Sequence, residues 1–153
     1  MSEIPLSNDM DAYSELLGIF KDIAMMDQVR SLLGWDQEVL MPPKAAELRG
    51  EQIAWISRES HKRKTSPRVG ELLDELEERV DLGDIESANV RLAREAYDKA
   101  TRLPTDFVSE LAKHNSKSLI SWTEARRNND FSMFRDDLSK SIEFARKKAD
   151  YLG

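Results

Sequence analysis

Apolar side chains recur every three or four residues along most of the sequence, and this spacing is the period of an α-helix. In the first stretch two such stripes lie side by side; they are Met10, Tyr13, Leu17, Phe20 and Ala24, and Leu16, Ile19, Ile23 and Met26. Two neighbouring stripes predict a long helix with a wide buried face, running to about Leu33. Asn8 or Asp9 would cap its start, because a short polar side chain accepts hydrogen bonds from the first turn.

Prolines, glycines and short polar segments divide the rest of the chain into five further predicted helices. The pair Pro42-Pro43 ends the first helix, because two prolines remove two backbone donors. Serine followed by proline at Ser66-Pro67 is a typical helix start, and the apolar stripe that follows it ends at Val80. Further breaks fall at 81–84, at Leu103-Pro104, at 128–130 and at Gly153. We therefore predict a single all-α domain over residues 1–153, with about six helices in an antiparallel bundle or array.

The fifth predicted helix, from about Thr105 to Arg127, carries an unusual mixture on its apolar stripe. The stripe consists of Val108, Ala112, Asn115, Leu119 and Trp122, and Arg126 continues it. An amide and a guanidinium on an apolar face either reach solvent or meet polar partners, so a polar interface is the second interpretation of this face. For Trp35, Trp55 and Trp122 we favour a place in the core over a partner-binding role, since large aromatic side chains dominate burial energetics.

Composition excludes several classes of function. Cysteine is absent from the sequence, which excludes disulfides, thiolate zinc sites and a cysteine nucleophile. With 23 basic and 29 acidic residues the net charge is −6, which argues against a non-specific grip on nucleic acid phosphates. No run of about 18 apolar residues occurs, and the first residues lack the basic and apolar regions of an export signal. We expect a cytoplasmic protein that binds neither nucleic acid nor membrane.

No familiar catalytic motif is present. His61 and His114 lie far apart in sequence, whereas a helical zinc site needs two histidines four residues apart, so we predict surface or rim histidines and no metal ligand. The glycines form no phosphate-binding loop, and no G-x-S-x-G elbow surrounds a serine. The segment 71–86 contains eight carboxylates and one arginine. We interpret it as a solvated helix face rather than a paired-carboxylate active site.

Several short segments resemble the carboxypeptidase Taq family, the thermostable zinc carboxypeptidases, and they follow the family's order. They are Trp35-Asp36, Met41-Pro42, Ala45-Ala46, Arg49-Gly50-Glu51-Gln52, Tyr97-Asp98-Lys99-Ala100, Leu103-Pro104, Trp122-Thr123-Glu124-Ala125-Arg126, Asn129-Asp130-Phe131, Phe134 and Lys148-Ala149-Asp150-Tyr151-Leu152-Gly153. Each segment is short, but their order and spacing cover nearly the whole chain. The chain therefore resembles the N-terminal region of that family.

The resemblance implies an all-helical metallopeptidase, related in fold to neurolysin-like peptidases, that removes single amino acids from peptide C-termini. The family's zinc motif, His-Glu-x-x-His with a downstream glutamate, lies beyond the equivalent of residue 153. The resemblance therefore assigns no catalytic and no metal-binding residue here, and it places zinc, or another divalent metal, in the full-length enzyme only. This chain alone is expected to be inactive and to shape the substrate groove. The implied partners are a C-terminal catalytic region, a peptide substrate and a second copy in a homodimer.

Two places are candidates for groove or interdomain contact. The candidate residues are Trp35, Asp36 and Met41 at the end of the first helix, and Asn115, Trp122 and Arg126 on the fifth. The alternative function is a stand-alone, non-catalytic helical module that binds a protein partner. Both hypotheses predict an apolar surface left uncovered where the partner docks.

Overall fold

The computed structural model describes residues 11–153, and within them it contains helices and no strands. The helices are α1 (Ala12–Val39), α2 (Ala46–Lys64), α3 (Pro67–Glu77), α4 (Asp84–Thr101), α5 (Thr105–Asn128) and α6 (Arg135–Leu152), with two short 3₁₀ turns at Pro43–Ala45 and Phe131–Met133. This confirms the predicted all-α array. The cap predicted at Asn8 or Asp9 lies outside the described residues.

Helix α1 is longer than predicted, because it continues past Leu33 to Val39. The least favourable residue in the added segment is Gly34, which costs about 1 kcal/mol relative to alanine and does not stop a helix. The amide nitrogens of Leu40 and Met41 both donate to the carbonyl oxygen of Asp36, at 3.0 and 2.8 Å. The prolines that follow then end the helix. At about 1.5 Å per residue, α1 is roughly 42 Å long.

The best-buried helix is α3, which lies between the first half of α1 and α4. Its apolar stripe has no exposed surface; it consists of Val69, Leu72, Leu73 and Leu76. Ala12 and Leu16 of α1 and Val90 and Ala93 of α4 complete this core cluster. Of the predicted buried face of α1, Leu16 and Ile23 are buried, whereas Tyr13, Leu17 and Phe20 are only partly buried and Ala24 is exposed. Met10 lies outside the described residues. Each fully buried leucine or valine contributes about 1.5–3 kcal/mol to stability. The carboxylates of the acidic segment 71–86 face outward, as predicted.

A second layer is formed by α2, which packs between α1 and α5, while α6 packs on the other side of α5. Phe107 of α5 meets the rings of Phe144 and Tyr151 of α6, with centroids 5.7 and 5.2 Å apart. Because α5 has two helical neighbours, its most buried residues are Phe107, His114, Ser116, Ser118 and Ala125. The stripe predicted from apolar spacing is only partly covered.

Several predictions of burial are wrong. All three tryptophans are about half exposed, at 54% for Trp35, 56% for Trp55 and 46% for Trp122. Conversely, both histidines are buried rather than lying at the surface or rim. Helix α3 ends at Glu77, so Val80 lies beyond it and is fully exposed. For the tryptophans and histidines the helical period is correct but does not reveal which faces have neighbours, whereas for Val80 the helix itself ends earlier than predicted.

Candidate functional site

An open groove of about 750 Å³ runs over one face of α2, between α1 and α5. We call it the α2 groove. Its floor consists of Ile53, Ser57, Ser60 and Lys64, spaced four, three and four residues apart along α2. Both walls run antiparallel to α2, since Arg49 meets Leu33 near one end while His61 meets Thr105 near the other. Three aligned helices therefore form the length of the groove, and residues of α4 and α6 line one end of it.

The α5 wall of the groove is mainly apolar. It presents Val108, Leu111, Ala112, Asn115 and Leu119. These residues include most of the stripe predicted to be buried, which explains why it is only partly covered. The side chain of Asn115 makes no hydrogen bond within residues 11–153, so its amide is available to a partner.

One end of the groove is closed by a side-chain link between α1 and α5. The Gln37 amide nitrogen Nε2 donates to the Ser116 carbonyl oxygen at 2.8 Å, and the Ser116 hydroxyl donates to Gln37 Oε1 at 2.7 Å. Because Gln37 is satisfied on both sides, it fixes the separation of the two walls at this point. Gly50 of α2 lies beneath, where an added Cβ would be 3.8 Å from Lys113 and 3.9 Å from Ser116.

The opposite end of the groove is rich in cations. Lys64, Lys99 and Lys148 line it. Lys99 pairs with Glu95 at 2.5 Å. Farther along the α1 wall, Arg30 pairs at 3.5 Å with Asp27, which also lines the groove. Neither Lys64 nor Lys148 forms an ion pair with any residue in the described part of the chain. This end therefore carries positive charge in a chain that is acidic overall.

His61 joins the end of α2 to the turn between α4 and α5. Its Nε2 lies 3.0 Å from the Ala100 carbonyl oxygen and its Nδ1 lies 3.1 Å from the Thr105 hydroxyl. Since a carbonyl only accepts, Nε2 carries the proton and Nδ1 accepts from Thr105. Burial lowers the pKa of His61; the hydrogen bond to Ala100 opposes this, and the nearby Lys64 lowers it further. The imidazole is therefore neutral near pH 7 and serves as a structural link.

His114 makes a corresponding link between α5 and α6. Its Nε2 lies 2.9 Å from the Ser141 hydroxyl, and its ring stacks on Phe144 with centroids 5.1 Å apart. Burial lowers the pKa of His114, while Asp137 opposes this shift. Both histidines thus make helix-packing contacts, His61 through both ring nitrogens and His114 through Nε2 and its ring face.

These environments do not fit a zinc site. A zinc ion needs several ligands converging on one point, with neutral imidazole nitrogens free to coordinate. Among residues 11–153 no three histidine, aspartate or glutamate side chains form a group that could hold a metal. The two imidazoles are committed to different helix junctions.

The six candidate contact residues lie in three separate places. Asn115 lies in the α2 groove. Trp122 and Arg126 line a second pocket of about 570 Å³ at the end of α5, where the Arg126 guanidinium lies 5.9 Å from the Trp122 ring centroid. Trp35, Asp36 and Met41 lie outside both pockets, at the end of α1.

Asp36 has a structural partner there. Its Oδ2 accepts from Arg49 Nη2 at 2.6 Å, and Arg49 Nη1 donates to the Leu33 carbonyl oxygen at 2.6 Å. This pair holds the hairpin formed by α1 and α2, and Trp35 beside it remains exposed. The contact of these six residues with a partner stays a prediction.

Sequence reasoning missed the residues that shape the groove. Gln37 and Ser116 are 79 residues apart, and no sequence spacing brings them together. The sequence places Lys64 in a basic run at a helix terminus, and Lys64 does lie at the end of α2. Within residues 11–153 Lys64 forms no ion pair, and no sequence spacing indicates this because it depends on the packing of α4 and α6 at this end.

The family model for carboxypeptidase Taq (M32) metallopeptidases matches residues 15–153. The chain belongs to this family. Thermostable carboxypeptidase 1 from Thermus thermophilus is 34% identical over 144 residues, and carboxypeptidase 1 from Bacillus subtilis is 31% identical over 140 residues.

Known structures of the M32 family agree. The crystal structure named BsuCP is similar to this chain with a TM-score of 0.90 at 31% identity, covering 93% of this chain and 29% of that one. The M32 carboxypeptidase from Deinococcus radiodurans gives a TM-score of 0.70 at 35% identity, covering 92% of this chain and 28% of that one.

The chain spans only about 28% of the length of the two curated relatives, while 92% and 91% of the chain is matched. It corresponds to an N-terminal portion of these M32 proteins. The M32 family is zinc-dependent. None of the helices within residues 11–153 has an apolar stretch long enough to cross a lipid bilayer.

Proposed function

We propose that this chain forms the non-catalytic helical portion of a zinc metallocarboxypeptidase that removes amino acids from peptide C-termini. The observation that carries the proposal is the similarity of 93% of the chain to 29% of BsuCP at a TM-score of 0.90. In this proposal the zinc is held by residues outside 1–153, because His61 and His114 are used for helix packing. The helices shape one wall of the substrate groove of the whole enzyme.

The proposal also assigns a role to the candidate contact residues. Asn115 places in the α2 groove an amide that is unpaired within residues 11–153, and Trp122 and Arg126 present an aromatic face and a guanidinium at the end of α5. We assign these two positions to contact with the catalytic region or the peptide. Trp35, half exposed beside the Arg49–Asp36 pair, is assigned to interdomain contact. Aromatic and arginine side chains are enriched in such interfaces.

Two further parts of the proposal concern the whole protein. We assign it to the cytoplasm, and we propose that it forms a homodimer. The exposed apolar residues Met25, Val29, Leu32 and Val39 lie on one stripe of α1, at spacings of four, three and seven residues. Such a stripe supports an interface of some kind. Sedimentation of the chain at increasing concentration tests for self-association.

The metal content of the isolated chain tests the non-catalytic assignment. After purification and dialysis against a zinc-containing buffer, we expect less than stoichiometric zinc by atomic emission and no release of C-terminal amino acids from a peptide. A catalytic zinc needs several protein ligands to hold it and lower the pKa of its bound water. Zinc at one ion per chain together with release of C-terminal residues would contradict the proposal.

The second candidate is a stand-alone helical module that binds a protein partner. The exposed apolar stripe of α1 favours it as well, because a partner of either kind would cover that stripe. The two candidates differ in what happens when the catalytic region of a relative is supplied. Only the carboxypeptidase portion is expected to restore peptidase activity.

A further inference from the structure

The pocket at the end of α5 is formed by a reversal of the chain. Asn129 ends α5 in a left-handed conformation with φ 50°, which asparagine tolerates better than most residues. The amide nitrogen of Asp130 then donates back to the Ala125 carbonyl oxygen at 2.9 Å. As a result, side chains from the last turns of α5 and from the 3₁₀ turn that follows line one cavity.

Three aromatic rings line this pocket. Trp122 belongs to α5, and Phe131 and Phe134 belong to the segment after the reversal. Trp122 and Phe131 are 46% and 58% exposed, so both rings offer apolar surface that is left uncovered within residues 11–153. Aromatic surface gathered in a concavity binds a flat apolar group by stacking and by burial. The rings therefore favour a ligand with an aromatic side chain.

The same pocket contains one positive and one negative side chain that do not pair with each other. Arg126 forms no ion pair with any residue in the described part of the chain, and its guanidinium lies 5.9 Å from the Trp122 ring centroid. Asp130 Oδ1 accepts from the Ser132 amide nitrogen at 2.9 Å and from its hydroxyl at 2.6 Å, while Oδ2 accepts no hydrogen bond within residues 11–153. The hydrogen bonds from Ser132 lower the pKa of Asp130, and the nearby Arg135 adds to this shift, so the carboxylate is charged near pH 7.

This combination of charges selects among ligands. A phosphate or a nucleotide would bring its negative charges next to Asp130, which repels them. An ammonium ligand without a carboxylate would meet the guanidinium of Arg126, which already lies over the Trp122 ring. An α-amino acid carries a carboxylate and an ammonium on one carbon, so it matches Arg126 and Asp130 together.

We propose that the pocket at the end of α5 binds a free α-amino acid with an aromatic side chain, such as phenylalanine. The carboxylate of the ligand pairs with Arg126, and its ammonium pairs with Asp130. The ring of the ligand packs against Trp122 and Phe131. Amino acids are what a carboxypeptidase releases, so the supply of this ligand rests on the proposed function, whereas the pocket is built entirely from residues of this chain.

Isothermal titration of the 153-residue chain with L-phenylalanine and three analogues tests the proposal. Phenethylamine lacks the carboxylate, 3-phenylpropanoate lacks the ammonium, and L-alanine lacks the ring. We expect L-phenylalanine to bind at least about tenfold more tightly than each analogue, because each analogue omits one of the three contacts. Added salt should weaken the binding of L-phenylalanine, since two of the contacts are ionic and partly exposed.

Substitutions assign the two ionic contacts. Arg126→Gln is expected to weaken the binding of L-phenylalanine at least about tenfold without weakening that of phenethylamine, which has no carboxylate. The matched control is Arg127→Gln, on the same turn of α5 but outside the pocket, and it should leave every affinity within about twofold. Asp130→Asn removes the charge but keeps an oxygen that can accept from Ser132. It should weaken the binding of L-phenylalanine without weakening that of 3-phenylpropanoate.

NMR spectra locate the ligand. The indole N–H signal of Trp122 should shift when L-phenylalanine is added, whereas the signals of Trp35 and Trp55, which lie outside the pocket, should stay in place. Unchanged backbone amide signals away from the pocket establish that each variant is folded. A shift of Trp35 or Trp55 without a shift of Trp122 would place the ligand elsewhere and overturn the proposal.

The titrations have further outcomes that are distinct from those for the proposed function. Absence of saturable binding at millimolar L-phenylalanine would overturn the amino acid site. Equal affinity for L-phenylalanine and 3-phenylpropanoate, or equal effects of Arg126→Gln and Arg127→Gln, would overturn it as well. None of these results alters the zinc and peptidase measurements. Zinc-dependent activity of the isolated chain would instead overturn the proposed function and leave the binding result in place.

Discussion

At the scale of single residues, the two histidines have the clearest consequences. His61 and His114 keep only 8% and 6% of their surface exposed, and burial lowers the pKa of each. An unfolded histidine binds a proton near pH 6.5, whereas each folded imidazole binds one only at lower pH. Folding therefore releases protons in this range, and the neutral forms stabilise the native state at higher pH.

The first prediction follows from the lowered pKa of the two histidines. The free energy of unfolding, measured by urea titration, should fall as the pH is lowered from about 7.5 to about 5. The double variant His61→Gln/His114→Gln should be less stable overall and should lose most of that pH dependence. Carboxylates with a lowered pKa, such as Asp81 with a pKa of about 2, contribute only at more acidic pH. Equal slopes for the double variant and the wild type would show that other groups are responsible.

A second residue-scale prediction compares two glycines. An added Cβ at Gly70 would lie 2.7 Å from the Tyr97 hydroxyl and 3.2 Å from its Cζ, whereas Gly18 has no neighbour within 4 Å. We expect Gly70→Ala to destabilise the chain by about 1–3 kcal/mol, because the α3–α4 contact must widen. Gly18→Ala should stabilise it by up to about 1 kcal/mol, since alanine favours the helix. Thermal unfolding measures both, and a stabilised Gly70→Ala would contradict this view of the core.

At the scale of helices, the α1–α2 hairpin depends on one polar contact. Arg49 is largely buried and donates both to Asp36 and to the Leu33 carbonyl. In contrast, Arg63 lies farther along the same hairpin and pairs with Asp22 where both side chains are at least half exposed. Geometry and burial, rather than the presence of an ion pair, decide which contact matters.

The third prediction uses these two arginines as a matched pair. Arg49→Lys should lower the free energy of unfolding by about 1–3 kcal/mol, because a lysine cannot reproduce two donors in a fixed fork. Arg63→Lys should change it by less than about 0.5 kcal/mol. Urea unfolding of both variants at pH 7 provides the comparison. Equal effects would indicate that Arg49 acts only as a surface charge.

Helix positions could be predicted from the sequence because the apolar period and the prolines are local signals. Both proline-containing pairs mark real boundaries: α3 begins at the proline of Ser66-Pro67, and α5 begins directly after Leu103-Pro104. The buried faces could not be predicted in the same way. Helix α5 contacts α2 and α6 on different sides, so its polar His114 is buried while Asn115 is exposed next to it.

At the scale of the whole molecule, the sequence indicated the family through short segments and could not indicate the groove. The α2 groove requires Gln37 to meet Ser116 across 79 residues, and it requires Lys64 and Lys148 from different helices to lie at one end. These are consequences of tertiary packing. The chain itself spans only about 28% of its relatives' length, and many of its large apolar side chains, such as Leu32 and Leu40, are exposed.

The carboxypeptidase activity of a chimera tests the central claim most directly. In it, this chain replaces the matched portion of Bacillus subtilis carboxypeptidase 1, to which it is 31% identical. We predict a folded, zinc-containing chimera that releases C-terminal amino acids, whereas the relative without that portion is inactive. A chimera that folds and binds zinc at full occupancy but releases no amino acid would contradict the assignment of this chain to a carboxypeptidase.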